Sequence, residues 1–175
     1  MARPRIGVLP LARPTFDVPF AEATAEAAFA TLDRLDAEIV GARDLLFDPA
    51  ATESALSVLA GERLDLLLVL QVTFTDAGMA EAAARAVDAP IVLWAFPESR
   101  SGGRLRLNSL CGINLAAHAL GILGRAYGWL LRAADDTAAL EAIRRYLEAP
   151  PTTAPSRARH DDGEPSPAAR TAAAG

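Results

Sequence analysis

The sequence predicts an α/β protein of the three-layer, doubly wound class, with about five parallel strands in the flavodoxin-like order 2-1-3-4-5. Two observations favour this class. Short apolar runs without polar alternation recur along the chain, as parallel strands covered on both faces require. Longer segments with apolar residues at helical spacing separate these runs. Strand and helix therefore alternate, and right-handed crossovers would build a parallel sheet with helices on both faces.

The first half of the chain supplies two strands and two helices. The run "RIGVLPL" (5–11) is a short strand, and "AEIVGA" (37–42) is a second one. The helix between them carries its apolar residues on one face at i, i+4, i+7 spacing. The next helix opens at Asp48-Pro49, since proline suits a first-turn position, and closes at Gly61. The apolar face of the first helix consists of Ala21, Ala25, Ala28, Leu32 and Leu35.

The second half continues the alternation through three further strands. The runs "LDLLLVLQ" (64–71) and "PIVLWAF" (90–96) are mainly apolar without polar alternation, which predicts strands buried on both faces. A helix is predicted to start at Thr75 and Asp76, and the next at about Leu110. The fifth strand lies in "AYGWLLRA" (126–133), and a last helix begins near Asp135.

Composition limits the classes of function. A chain of 175 residues with 51% apolar residues can bury a core as one domain, which we assign to residues 1–148. Residues 149–175 combine proline, alanine and charge without an apolar period, so this tail is expected to be disordered. The net charge is −5, and all 17 basic residues are arginines that form no stripe with aromatic residues. This pattern argues against nucleic-acid binding.

The same sequence favours a cytoplasmic protein. There is no run of about 18 apolar residues, so we expect no membrane span, and the N-terminus does not read as a signal peptide. A single cysteine, Cys111, cannot form an internal disulfide and fits a reducing compartment.

Polar side chains gather where three predicted strands end, and parallel sheets bind ligands outside those carboxyl ends. We therefore predict a pocket for a polyhydroxylated or anionic small molecule. Several of these residues also have a local explanation. Thr75, Asp76, Asn108 and Ser109 can act at helix N-termini, Arg104 and Arg106 can form a solvated extended face, and Glu98 can be a surface loop residue. The polar residues are Arg13, Thr15 and Asp17 after strand one, Gln71, Thr73, Thr75 and Asp76 after strand three, and Glu98, Arg104, Arg106, Asn108 and Ser109 after strand four.

Three further residues share one face of the fourth helix: Cys111, Asn114 and His118, at i, i+3 and i+7. A metal site here lacks carboxylate support, and the other histidine, His160, lies in the tail. We expect His118 to be a partly buried hydrogen-bonding residue and Cys111 to fill space as a small apolar side chain. The chain shows no Walker or dinucleotide fingerprint and no Ser-His-Asp arrangement, so it predicts no nucleotide site and no catalytic residue of its own.

Three ordered segments resemble the N-terminal part of the L-fucose/L-arabinose isomerase superfamily, and L-fucose isomerase-like members in particular. They are "LLLVLQVTFTDAGM", "APIVLWAFPE" and "GGRLRLNSLCGINLAAHALGILGRAYGWLL". The resemblance covers roughly residues 4–148 and is most specific in "NSLCGINLAAHAL".

The resemblance implies a sugar-isomerase framework. Family members are cytoplasmic, oligomeric aldose–ketose isomerases with a Mn²⁺-type divalent metal that promotes proton transfer through an enediol. The metal ligands lie in later domains, so no cofactor is expected in this chain, while the N-terminal domain shapes the sugar pocket. By position, the resemblance carries over six candidate substrate-binding residues: Gln71, Thr73, Glu98, Arg106, Asn108 and Asn114.

The chain departs from the family after the last helix, where a second α/β domain and the metal-binding part are expected. This departure suggests a truncated or frameshifted gene, or a split subunit with a separately encoded catalytic domain. Three functions stay open: an isomerase N-terminal domain inactive on its own, a stand-alone module binding a sugar or sugar acid, and a structural subunit that joins a metal-bearing partner. The expected partners are a sugar or sugar derivative and either further copies of the chain, in a homo-oligomer, or a separately encoded catalytic domain.

Overall fold

The computed structural model describes residues 3–99 and 102–152, in which five strands alternate with five helices. All strands are parallel and form one sheet in the order β2-β1-β3-β4-β5, which confirms the predicted fold class and strand order. The strands are β1 (Arg5–Leu11), β2 (Glu38–Gly41), β3 (Leu66–Gln71), β4 (Ile91–Ala95) and β5 (Tyr127–Leu131). The helices are α1 (Val18–Leu32), α2 (Pro49–Leu59), α3 (Gly78–Ala86), α4 (Ser109–Ile122) and α5 (Thr137–Glu148).

The sheet separates two apolar cores. Alternate residues of the central strands point to opposite faces, so Leu68 and Trp94 pack in the core beneath α1 and α5, while Val69 and Leu93 pack beneath α2, α3 and α4. All four of these side chains are buried. Burial on both faces explains why β3 and β4 are apolar at every position except the last residue of β3, Gln71.

Aspartates begin three of the helices. The side chains of Asp17, Asp48 and Asp136 accept hydrogen bonds from backbone N–H groups in the first turns of α1, α2 and α5. The predicted start of α3 at Thr75 and Asp76 is wrong, because α3 begins at Gly78. The preceding residues are held in a loop instead.

The free edge of β5 is covered by a side chain from α5. The Tyr146 hydroxyl accepts a hydrogen bond from the Trp129 backbone N–H and donates one to the Trp129 carbonyl, both at 3.1 Å. The tyrosine ring lies directly over Gly128, where a β-carbon would overlap the ring. Glycine at this position therefore allows the ring to reach the edge strand.

The predicted tail, residues 149–175, lies almost wholly outside the described residues and stays a prediction. Within residues 3–99 and 102–152, no helix is both long enough and apolar enough to cross a membrane.

Candidate functional site

The carboxyl end of the sheet brings together the loops that follow β1, β3 and β4. The Arg13 N–H donates to Thr73 Oγ1 at 2.7 Å, which joins the first loop to the second. The Phe74 N–H donates to the Leu107 carbonyl at 2.8 Å, which joins the second loop to the third. The predicted gathering of polar residues is therefore present, and hydrogen bonds from the backbone connect the three loops.

Gln71 and Thr73 lie beneath this surface, since both side chains are fully buried. The Gln71 amide nitrogen donates to the Thr73 carbonyl at 2.8 Å and to Thr75 Oγ1 at 2.9 Å. Its Oε1 atom is buried and has no hydrogen-bond partner among the described residues. These contacts explain the late start of α3, because the Thr75 hydroxyl supports the loop rather than capping the helix. Gln71 and Thr73 thus form the base under the candidate pocket.

Ser109 joins the ends of two neighbouring strands. Its hydroxyl accepts a hydrogen bond from the Phe96 N–H at 2.9 Å and donates to the Gln71 carbonyl. The side chain is fully buried at the first residue of α4. The sequence indicates Ser109 as a polar residue of the predicted pocket and as a possible helix cap. No local pattern indicates the link to β3, because Gln71 lies 38 residues away in the chain.

Glu98 binds the backbone that leads into α4. One carboxylate oxygen accepts from the Arg106 N–H at 2.6 Å and from the Leu107 N–H at 2.8 Å, and the other accepts from the Asn108 N–H at 2.6 Å. Successive N–H groups that converge in this way form an anion-binding concavity. In this chain the anion is the protein's own carboxylate, which fixes the shape of the loop after β4.

Arg106 connects this loop to α1. Its Nε donates to Asp17 Oδ2 at 2.8 Å, and its guanidinium carbon lies 3.8 Å from the centre of the Phe20 ring. The Arg106 hydrogen bond, aided by the Phe20 N–H, holds the pKa of Asp17 below its usual value. The Arg106 side chain is 55% exposed, so its guanidinium also borders solvent.

Asn108 occupies the N-cap position of α4 in the left-handed conformation, with φ at 52° and ψ at 33°. Its side chain makes no capping hydrogen bond, so capping does not explain the residue. Asparagine tolerates this conformation better than most residues. Its side chain instead lines an apolar cleft of about 240 Å³ together with Phe96, Leu105, Leu110 and Cys111.

Asn114 lies apart from the other candidates, because it is exposed on the outer face of α4. The same face exposes Cys111 and His118. The expectations for these two residues are wrong: His118 is not partly buried, and Cys111 does not fill space in the core. α4 turns Ile113 and Ala116 toward the sheet instead. The structure thus brings five of the six predicted substrate-binding residues to the carboxyl end, and their binding role stays a prediction.

Two clefts flank the loop after β4. The larger, about 420 Å³, lies between α1 and this loop, and the smaller, about 270 Å³, lies toward the loop after β1. Arg104, Leu105 and Arg106 line both. The larger cleft is also lined by Phe20, Glu98, Ser99, Gly102 and Gly103, and the smaller by Thr15, Phe16 and Asp17.

One of the arginines at this end of the sheet differs from the others. Arg13 pairs with Asp76 and Arg106 with Asp17. Arg104 donates to the Thr15 carbonyl, at 3.2 Å, and has no carboxylate partner among the described residues. Arg104 thus leaves in this region a guanidinium that no carboxylate of the described residues engages, while the Glu98 carboxylate is held by three backbone N–H groups instead.

The described residues do not supply a divalent-metal centre. Within 3–99 and 102–152, no three side chains of histidine, cysteine, aspartate or glutamate converge closely enough to hold an ion. The carboxylates of Asp17, Asp76 and Glu98 are each engaged by an arginine or by backbone N–H groups.

Fold and site together define a doubly wound α/β domain with an arginine-lined cleft at the carboxyl ends of its strands. Sequence comparison identifies the family. The family model for the fucose/sulfoquinovose isomerase N-terminal domain matches residues 7–148, and the chain belongs to this family. The match runs from the first strand to the last helix, so the whole described fold corresponds to the family's N-terminal domain.

Curated relatives include several sulfoquinovose isomerases. The protein of Clostridium sp. (strain MSTE9) is 29% identical over 151 residues, which cover 85% of this chain and 33% of that protein. The protein of Priestia megaterium is 25% identical over 139 residues, covering 79% and 31%, and that of Alkalicoccus urumqiensis is 28% identical over 135 residues, covering 77% and 30%. The chain thus spans about a third of the length of these relatives.

Proposed function

We propose that this chain forms one wall of the sugar pocket of a cytoplasmic aldose–ketose isomerase. The metal and the catalytic groups would come from further domains, in the same polypeptide or in a separate one. Family membership supports the sugar-isomerase context. The carboxylates of Asp17, Asp76 and Glu98 are already bound by the chain's own arginines and N–H groups. This supports the proposal that a Mn²⁺-type ion is held by residues of the other domains.

We further propose that the sugar carries an anionic substituent. Arg104 carries this inference, since it borders both clefts and has no carboxylate partner among the described residues. A guanidinium donates paired N–H groups that match phosphate, carboxylate or sulfonate oxygens. The curated relatives are named for sulfoquinovose, a sulfonated sugar, which fits this chemistry.

Calorimetric titration of the full chain tests the proposal. We expect sulfoquinovose to bind at least about tenfold more tightly than its unsulfonated counterpart, quinovose, which corresponds to about 1.4 kcal/mol. Arg104→Gln should remove this preference. Arg132→Gln is the matched control, because Arg132 is a similarly exposed arginine whose carboxylate partner, Asp136, lies next to α5.

Two results would contradict the proposal. Absence of heat with every sugar would argue against a pocket in this chain. An Arg104→Gln variant that still prefers sulfoquinovose to quinovose as strongly as the wild type would show that Arg104 does not bind the anionic group. Isomerase turnover by the chain alone with Mn²⁺ would overturn the assignment of the catalytic groups to other domains.

A further inference from the structure

The smaller cleft is built from two facing segments of three residues, one just before α1 and one in the loop after β4. Two arginine side chains bridge the segments. Arg104 donates to the Thr15 carbonyl at 3.2 Å, and Arg106 donates to the Asp17 carboxylate at 2.8 Å. The two guanidinium groups therefore meet different partners, because the carbonyl is neutral and the carboxylate is charged.

Only one of these two arginines is paired with an opposite charge. Arg106 and Asp17 form an ion pair, whereas Arg104 has no carboxylate partner among the described residues. Asp17 is also held in place from its other side, since its second carboxylate oxygen accepts from the Phe20 N–H at 3.1 Å. The cleft therefore offers a ligand one guanidinium that no carboxylate engages.

Two carboxylates line the same clefts as Arg104. Asp17 lines the smaller cleft, and Glu98 lines the larger one. A further ion pair at this end of the sheet, between Arg13 and Asp76, adds no net charge. A ligand with one negative charge can pair with Arg104. A second negative charge on the same group would find only paired arginines and would be repelled by the two carboxylates.

We propose that Asp17 is a specificity-determining residue that limits the anionic group of the sugar to a single negative charge. A sulfonate carries one charge, whereas a phosphate monoester carries about two above its second pKa of about 6. The inference rests on the proposed function, because it concerns the same anionic substituent. It adds a reason for the chain to accept a sulfonated sugar and to reject the corresponding sugar phosphate.

Calorimetric titration of the wild-type chain at two pH values tests the proposal without a variant. Sulfoquinovose and glucose-6-phosphate carry their anionic groups on the same carbon, and we expect sulfoquinovose to bind at least about tenfold more tightly at about pH 7.5. This preference should shrink at least about fivefold at about pH 5.5, where most of the phosphate is a monoanion. The pKa of Asp17 lies below its usual value, owing to Arg106, so its carboxylate stays charged over this range.

Asp17→Asn tests the residue itself. Asparagine caps helices about as well as aspartate, so α1 should keep its N-cap while the charge beside Arg106 is lost. We expect the preference for sulfoquinovose at about pH 7.5 to fall at least about fivefold, because Arg106 becomes available to the second charge of the phosphate. Asp136→Asn is the matched control, since Asp136 is the N-cap of α5, pairs with Arg132 and lies outside both clefts.

Three outcomes would overturn this inference while the proposed function stands, provided that sulfoquinovose is still preferred to quinovose. The first is glucose-6-phosphate binding as tightly as sulfoquinovose at about pH 7.5. The second is a preference that is the same at both pH values. The third is a preference that Asp17→Asn leaves unchanged or that Asp136→Asn lowers equally. A wild-type chain that binds none of these sugars would contradict the proposed function and this inference together. Circular dichroism checks that each variant is folded, and the wild-type pH series decides if one is not.

Discussion

Arg106 and Asp17 are joined twice, although 89 residues separate them in the chain. The Arg106 side chain donates to the Asp17 carboxylate at 2.8 Å, and the Asp17 N–H donates to the Arg106 carbonyl at 3.1 Å. Asp17 is the N-cap of α1, whereas Arg106 belongs to the loop that precedes α4. The pair therefore fixes the distance between two walls of the larger cleft.

Arg106→Gln should lower the stability of the protein. The substitution removes the ion pair with Asp17 and the contact of the guanidinium with the Phe20 ring, while the backbone hydrogen bond can persist. We expect a lower urea midpoint with an unchanged slope. Arg132→Gln is a suitable control, because its pair with Asp136 is longer, at 3.9 Å, and lacks a ring contact. An equal loss in both variants would contradict a special role for Arg106.

The stability difference between wild type and Arg106→Gln should depend on pH. In the folded protein the pKa of Asp17 lies below its ordinary value of 3.8. The Asp17 carboxylate therefore contributes fully to stability at pH values above its unfolded-state pKa, and this contribution is lost as the pH falls through the lower folded-state pKa. The difference should stay constant from neutral pH down to about pH 4 and shrink below it. Urea midpoints in a pH series measure it. A gap that widens in acid would contradict the prediction.

Glu98→Gln should destabilise the loop before α4. An amide retains one oxygen acceptor, but its NH₂ group cannot accept, so at least one of the three backbone N–H groups is left unpaired. We expect a loss of about 1–3 kcal/mol in unfolding free energy. The loop should also be cleaved faster by protease. Glu53→Gln, at an exposed position of α2, should change neither property, and unchanged stability in Glu98→Gln would refute the structural role.

Two glycines in α4 should respond oppositely to alanine. At Gly112 a β-carbon would lie 2.8 Å from Gln71 Cγ and 3.0 Å from Nε2, so the buried amide must shift from its hydrogen bonds. We expect Gly112→Ala to cost about 1–3 kcal/mol despite the better helix propensity of alanine. Gly121→Ala meets nothing within 4 Å and should be neutral or stabilising by about 0.5–1 kcal/mol. Thermal unfolding of both variants decides the matter, and equal effects would contradict the packing argument.

The fold was predictable because its signals are local. The buried strands β3 and β4 are uninterrupted apolar runs, and the Asp48-Pro49 pair marks the start of α2. The start of α3 was not predictable, because the loop before it is held by hydrogen bonds of Phe74 to Leu107 and of Thr75 to Gln71. Those contacts depend on how separate loops meet, and local propensity carries no information about them.

The candidate site was predictable in place but not in detail. Parallel topology brings Gln71 and Glu98 to one end of the sheet, as the sequence indicates. The hydrogen-bond partners of side chains at this end are backbone atoms that are distant in the sequence. Glu98 binds N–H groups eight to ten residues away, and Ser109 binds a carbonyl 38 residues away. Asn108, whose N–H is one of the groups that Glu98 binds, adopts the left-handed conformation.

The hydroxyl of Tyr146 has a consequence for how molecules of this chain can aggregate. Edge strands with free N–H and C=O groups are templates for the pairing that leads to amyloid and strand exchange. At Trp129 both groups are occupied by the phenol, so an incoming strand finds no acceptor or donor there. The opposite edge, β2, is only four residues long. The β5 edge is therefore blocked at its middle residue, and the β2 edge is short; both features discourage growth from one molecule into the next.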